Sequence, residues 1–130
     1  PSRLTAIKKA PPSHNKIRKA LRWRNIIGHP TLLIRKHFLD RIGGYADLRI
    51  LEDYDLCMRL LHVGARFHCV QEPLVLVRVL PEQRARRSGW TYAKKEWEVR
   101  WRFHKDKHFS FIFYIFSCII YSIFRLQPAW

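Results

Sequence analysis

A chain of 130 residues, 48% hydrophobic and 14% aromatic, has the apolar content for a packed core, which excludes a disordered polypeptide and suits one domain or part of one. Its formal net charge of +15 at pH 7 favours polyanionic neighbours: nucleic acid, an anionic membrane face or a phosphate-bearing substrate. Cys57, Cys69 and Cys118 show neither CxxC nor Cys/His zinc spacing, so no disulfide framework is expected, and small buried hydrophobes in a reduced cytosolic setting are.

The chain opens at Pro1 and its only methionine is Met58, which reads as a piece of something longer. Residues 1–24 are basic and broken by Pro11-Pro12, predicting a loop and then a short helix over Ile17–Trp23 with Ser13 or Asn15 as cap. The first acid is Asp40. Thr31–Ile34, after Pro30, is a short β-leaning run, and Lys36–Ile42 a brief helix stopped at Gly43-Gly44, where one glycine takes φ > 0. Glu52-Asp53-Tyr54-Asp55 then opens the clearest helix. Tyr54, Cys57, Met58 and Leu61 form its apolar stripe, Leu56, Leu60 and Val63 widen it, and Gly64 sits at C′.

Ala65–Val70 and Leu74–Val79 read as two strands separated by Pro73. After a loop from Pro81, a long helix is expected over Arg86–Lys105, with Trp90, Ala93, Trp97, Trp101 and His104 on one face as core. Phe109–Phe124 carries no charge and is bracketed by Lys105, Lys107, His108 and Arg125. As a helix it measures roughly 24 Å, short of a hydrocarbon core of about 30 Å. It reads as a short or in-plane membrane helix, with a buried core helix the close alternative.

Asp53-Tyr54-Asp55 matches a D-x-D metal pattern, but residues two apart on a helix diverge by about 200°, so the two carboxylates are not expected to share an ion. One of them fits better as a general base, because a first turn supplies free N–H groups and the positive dipole end. Ordinary charge–dipole stabilisation, about 0.3–1 kcal/mol per acid, explains the same cluster if it stands alone. His104 and His108 have metal-compatible spacing but no third ligand, and read as a solvated helix end.

The wider order is His29-Pro30-Thr31, Arg35, Gly43-Gly44-Tyr45, Glu52-Asp53-Tyr54-Asp55-Leu56, Arg59-Leu60, Gly64, Glu72-Pro73-Leu74 and Arg78. It resembles the C-terminal half of a family 2 glycosyltransferase, well over about Asn25–Trp90 and more weakly into the tryptophan helix. The resemblance implies an α/β fold class: the C-terminal part of a GT-A (nucleotide-diphospho-sugar transferase) fold over 25–107, with a long helix and an apolar, membrane-associated C-terminal helix over 108–130. It implies Asp53 as catalytic base, Glu52 as its acceptor-side partner, and Asp55 turned to the helix's own surroundings. Gly43, Gly44, Tyr45 and His29 would line the acceptor pocket. The resemblance makes Arg78, Arg84, Arg86 and Arg87 candidates to meet a diphosphate or lipid head group, although a solvated surface role suits any one of them. Cys57 departs from the family's usual aromatic, and Gly28 from a frequent Asn.

The reaction implied is inverting transfer from a nucleotide-sugar donor to an unknown acceptor, at the cytoplasmic face of a membrane. The family's divalent cation (Mn or Mg) and its nucleotide-binding half have no ligands in this chain, so the isolated chain is expected to be inactive. The alternative is a basic, aromatic-rich nucleic-acid- or membrane-binding module without catalysis, built on Trp23, Trp90, Trp97 and Trp101. No RRM, KH or zinc signature supports nucleic acid, which is not expected as a partner.

Overall fold

The computed structural model describes residues 6–78 and 87–127. Its α-helices are α1 (His14–Leu21), α2 (Lys36–Arg41), α3 (Glu52–His62), α4 (Trp90–Lys105) and α5 (Phe111–Leu126), with a single 3-10 turn at His29–Thr31. Ser13 occupies the N-cap of α1 in extended conformation but makes no side-chain cap bond.

Helix α3 is the hub, because its apolar residues cover more than one side. Tyr54, Cys57 and Met58 pack with Ile17 and Leu21 of α1, Ile26, Val99 and Phe103 of α4, and Phe109. Leu56 and Leu60, on another side, join Ala65 against Ile34, Phe38 and Ile42. The Tyr54 hydroxyl donates to the Leu21 carbonyl, tying α3 to the end of α1, and burial raises its pKa. Burial, and secondarily the Asp53 charge, push the Cys57 thiol up to about 12, so it stays protonated at neutral pH.

Helices α2 and α3 end by the same device. The Gly44 N–H reaches the Leu39 carbonyl and the Gly43 N–H that of Asp40, closing α2. Ala65 and Gly64 repeat the pattern on Leu60 and Leu61, closing α3. This double bond pattern needs a left-handed residue at C′, met by Gly43 (φ +71°) and Gly64 (φ +82°). Gly44 is also left-handed (φ +74°), so both glycines of the pair, not one, take φ > 0.

The expected strands do not form: among the described residues there is no strand, and the α/β layer gives way to a helical arrangement. Residues 65–70 do alternate inward and outward, with Ala65, Phe67 and Cys69 turned in and Arg66, His68 and Val70 out. They run antiparallel beside residues 10–14, where Cys69 N–H donates to the Pro12 carbonyl (3.3 Å), Phe67 N–H to His14 Nδ1 (3.2 Å) and Gln71 Nε2 to the Ala10 carbonyl (3.0 Å). Pro11 and Pro12 have no N–H to return, so the bonding runs one way and no ladder closes. The second expected strand is extended but exposed along Leu74, Val75, Leu76 and Val77, and its last residue, Val79, lies outside the described residues. Thr31 is drawn into the 3-10 turn by its bonds to the Gly28 carbonyl, leaving too few residues for the third.

Helix α4 begins at Trp90 behind a left-handed Gly89 (φ +87°); Arg86, its expected start, lies outside the described residues. Its tryptophan face is not the core. Trp90 and Trp101 are exposed, whereas Tyr92, Ala93, Glu96, Val99, Arg100 and Phe103 are buried. The sequence misleads here because the inward face holds a buried Glu–Arg pair that hydrophobicity alone reads as outward.

Helix α5 folds back antiparallel on α4. Trp97 Nε1 donates to Ser122 Oγ (3.0 Å), Arg125 Nε to Glu96 (2.9 Å), and Gly89 N–H to the Arg125 carbonyl (2.8 Å). Ser110 caps α5 by accepting the Phe113 N–H. Among the described residues no helix is long and apolar enough to cross a membrane.

Candidate active site

The acidic mouth of α3 is built on a strained residue. Leu51, its N-cap, adopts φ 59°, ψ 20°, a left-handed conformation that costs a residue with a side chain about 1–3 kcal/mol and clusters at functional sites. The bend starts α3 at Glu52. The Leu51 carbonyl accepts the first intrahelical bond, from Asp55 N–H (2.9 Å).

Three of the expected acceptor-side residues meet here. The His29 and Tyr45 rings stack at 5.5 Å and 18°, with Tyr45 Oη 3.1 Å from His29 Nε2. His29 Nδ1 faces Glu52 Oε1 at 3.9 Å, too long for a hydrogen bond but within ion-pairing range when the imidazole is protonated. With a proton on Nδ1, Nε2 is free to accept from the tyrosine hydroxyl, giving a carboxylate–imidazole–phenol series open to solvent on one side. Gly43 and Gly44 reach this cluster through conformation. A side chain at either would meet open space, but their left-handed turn is what delivers Tyr45 to His29.

Asp53 is partly exposed and stands apart from that trio. Its Oδ1 accepts the Tyr54 N–H at 2.8 Å, and its Oδ2 has no hydrogen-bond partner among the described residues. Asp55 is buried: Arg59 Nε donates to its Oδ2 at 2.7 Å, Arg102 Nη2 lies 3.8 Å from its Oδ1, and Arg59 Nη1 continues to the Ile42 carbonyl at 2.8 Å. Asp55 thus braces the start of α3 against the end of α2, beneath the Gly43-Gly44 turn. The two carboxylates of the D-x-D string sit in different surroundings, and among the described residues no group of three His, Cys, Asp or Glu converges to hold a cation. The divalent ion implied by the resemblance therefore has no cage in these residues.

Of the arginines expected at a diphosphate, two lie among the described residues. Arg78 is exposed at the end of the extended segment, Arg87 is exposed just before α4, and Arg84 lies outside the described residues. A cleft of about 250 Å³ instead opens between the loop before Leu51 and α4, lined by Asp47, Leu48, Arg49, Lys95, Glu98 and Arg102. Sequence reasoning did not find it, because it joins two stretches far apart in the chain and no local pattern marks either. The cation-rich composition of α4 was the one available signal.

Comparison with known proteins gives this geometry a context. The chain is 32% identical over 95% of its length to the UDP-Gal:alpha-D-GlcNAc-diphosphoundecaprenol beta-1,3-galactosyltransferase of Escherichia coli, covering 44% of that protein. It is 28% identical over the same share to the amylovoran biosynthesis glycosyltransferase AmsE of Erwinia amylovora, covering 46% of it. Over 51 residues it is 43% identical to the O-antigen biosynthesis glycosyltransferase WbnJ of Escherichia coli, which is 39% of this chain and 20% of that protein. The relatives of this chain are glycosyltransferases. The chain spans less than half the length of these curated relatives. No family model matches it, and no solved structure matches significantly.

Proposed function

We propose that this chain is the acceptor-side half of an inverting family 2 glycosyltransferase of the GT-A fold, with Asp53 as its base. The observation that carries the reading is the cluster at the mouth of α3, where Tyr45, His29 and Glu52 assemble beside a left-handed Leu51. In the reaction, the acceptor hydroxyl oxygen bonds to the anomeric carbon of the nucleotide sugar from the side opposite the leaving group. Its proton passes to Asp53 Oδ2, while the bond to the diphosphate oxygen breaks and the nucleoside diphosphate leaves with the electron pair. Asp53 suits the task because Oδ1 is anchored by a backbone N–H and the helix N-terminus favours the ionised carboxylate. Glu52, through His29, and the Tyr45 hydroxyl orient acceptor hydroxyls.

The acceptor we propose carries its sugar on a lipid diphosphate, the group in the printed name of the Escherichia coli galactosyltransferase. Arg49, Lys95 and Arg102 suit that diphosphate, with Asp47 and Glu98 setting its orientation by repulsion. The exposed apolar stretch Leu74–Val77 is suited to pairing with the sheet of a donor-binding half, where Arg78 and Arg87 would approach the nucleotide diphosphate. An acceptor carried on a lipid supports a reaction at a membrane surface, for which the cytoplasmic face is our proposal. The isolated chain, given UDP-galactose, Mn²⁺ or Mg²⁺ and a lipid-diphosphate-linked N-acetylglucosamine, is expected to transfer no sugar. Robust turnover by the isolated chain, read as UDP release, would overturn the half-enzyme reading.

A further inference from the structure

Helix α5 is inside out for a helix in water. Its polar side chains point into the protein: Ser122 to Trp97, Arg125 to Glu96, Tyr121 to the guanidinium of Arg100, and Ser117, fully buried, to the Tyr114 carbonyl. Its apolar side chains point out. Ile112 (81% exposed), Ile115 (41%), Phe116 (52%), Ile119 (56%) and Ile123 (57%) fall at helical spacing on one exposed stripe, touched at its edge by Trp23. A soluble helix shows the reverse order, and a contiguous apolar stripe of this kind marks a contact surface.

What surrounds the stripe is predominantly basic. Residues 6–39 and 107–127 contain no Asp or Glu, and the fold brings the two stretches together. Trp23 packs edge-on to Phe113 and Phe116, Arg22 lies over the Phe113 ring, and Tyr121 Oη donates to the Trp23 carbonyl. Beside Trp23 a shallow hollow of about 430 Å³ is lined by Lys8, Lys9 and Arg24. Nearer the start of α5, the exposed Trp101 packs on Tyr114 and carries Lys105 over its ring. Half-exposed tryptophans paired with cations at the border of an apolar stripe form the side-chain pattern of a bilayer interface.

We propose that α5 lies in the plane of an anionic lipid bilayer. Ile112, Ile115, Phe116, Ile119 and Ile123 enter the acyl boundary, Trp23 and Trp101 sit at headgroup level, and Lys8, Lys9, Arg22 and Arg24 meet lipid phosphates. Charge selects this occupant. A second copy would bring an equally basic face against this one, whereas an anionic bilayer supplies the opposite sign. The helix cannot span instead, because its sixteen residues measure about 24 Å and its polar side is committed to α4. The inference rests on this packing and not on the transferase reading.

The test is flotation of the full chain with vesicles of phosphatidylcholine alone or with phosphatidylglycerol, at low and high salt. The chain should float with the phosphatidylglycerol vesicles, and the exposed double substitution Ile119→Ser/Ile123→Ser should weaken binding ~10-fold or more with unchanged helical circular dichroism. Arg22→Ala/Arg24→Ala should flatten the salt dependence, and brominated lipid should quench tryptophan fluorescence of the unaltered chain. Failure to float with anionic vesicles would overturn the proposal, as would equal binding by the double isoleucine variant. It would equally fall if the chain sedimented as a dimer that this variant dissociates while vesicles stay unbound.

Discussion

Replacing Asp53 by asparagine lowers sugar transfer roughly 10²- to 10⁴-fold, with the acceptor KM little changed, when the chain works joined to a donor-binding half. The substitution is nearly isosteric and keeps an oxygen for the Tyr54 N–H, so the entrance to α3 stays in place. What it removes is the carboxylate oxygen proposed to receive the acceptor proton. A neutral amide does not take that proton, so the loss falls on the chemical step rather than on binding. Glu52→Gln acts differently. The carboxylate facing His29 Nδ1 disappears, the imidazole loses its preferred orientation, and the effect appears first in the acceptor KM. Asp40→Asn, on the exposed side of α2, leaves both constants unchanged. Transfer by the Asp53→Asn protein within about threefold of the unaltered one would remove Asp53 from the reaction, against the size ordinarily lost with a general base.

Replacing Glu96 by alanine destabilises the chain by about 3–5 kcal/mol, the cost of leaving a buried charge without its partner. Arg100 is 1% exposed and Glu96 2%, deep between α4 and α5. One guanidinium nitrogen, Nη2, donates both to Glu96 Oε1 (3.2 Å) and to the Trp23 carbonyl (3.1 Å). Its plane lies over the Tyr121 ring, 3.9 Å from Cζ to centroid, and Nε and Nη1 have no hydrogen-bond partner among the described residues. The cation is therefore held chiefly by Glu96, which also takes Arg125 Nε from α5. Alanine leaves two cations facing a desolvated gap and cuts the ionic tie between the last two helices. Removing both buried charges at once, as in Glu96→Leu/Arg100→Met, should recover most of the loss, because no fully buried cation is then stranded and Arg125, 25% exposed, can turn to solvent. Urea unfolding at neutral pH measures both variants. A loss under about 1 kcal/mol for Glu96→Ala would mean that solvent reaches the pair.

Helices whose apolar period was uninterrupted were legible in the sequence, and so were their stops. α2 and α3 form near their expected bounds because each ends in a glycine whose left-handed backbone is required by its closing bonds. His29, Tyr45 and Glu52 stand together, and what drew attention to them was the order of motifs and not any local signal. The strands were illegible for a reason outside their own residues. Alternation at 65–70 is real, but a strand needs a neighbour with N–H groups to share, and the neighbour in place is Pro11-Pro12. The inward face of α4 was hidden by Glu96 and Arg100, polar residues whose burial is offset by partners on other elements, which no local pattern shows. The outward face of α5 was hidden because composition shows how apolar a helix is and not which side meets the protein.

The most direct measurement is a ¹H–¹⁵N titration of the isolated chain with two probes in turn: α-N-acetylglucosaminyl diphosphate on a short alkyl chain, and UDP-galactose. An acceptor-side half predicts shifts at His29, Gly43, Gly44, Tyr45, Glu52 and Asp53 with the first probe and none with the second. Shifts at those residues with UDP-galactose, and none with the diphosphate-linked sugar, would contradict it.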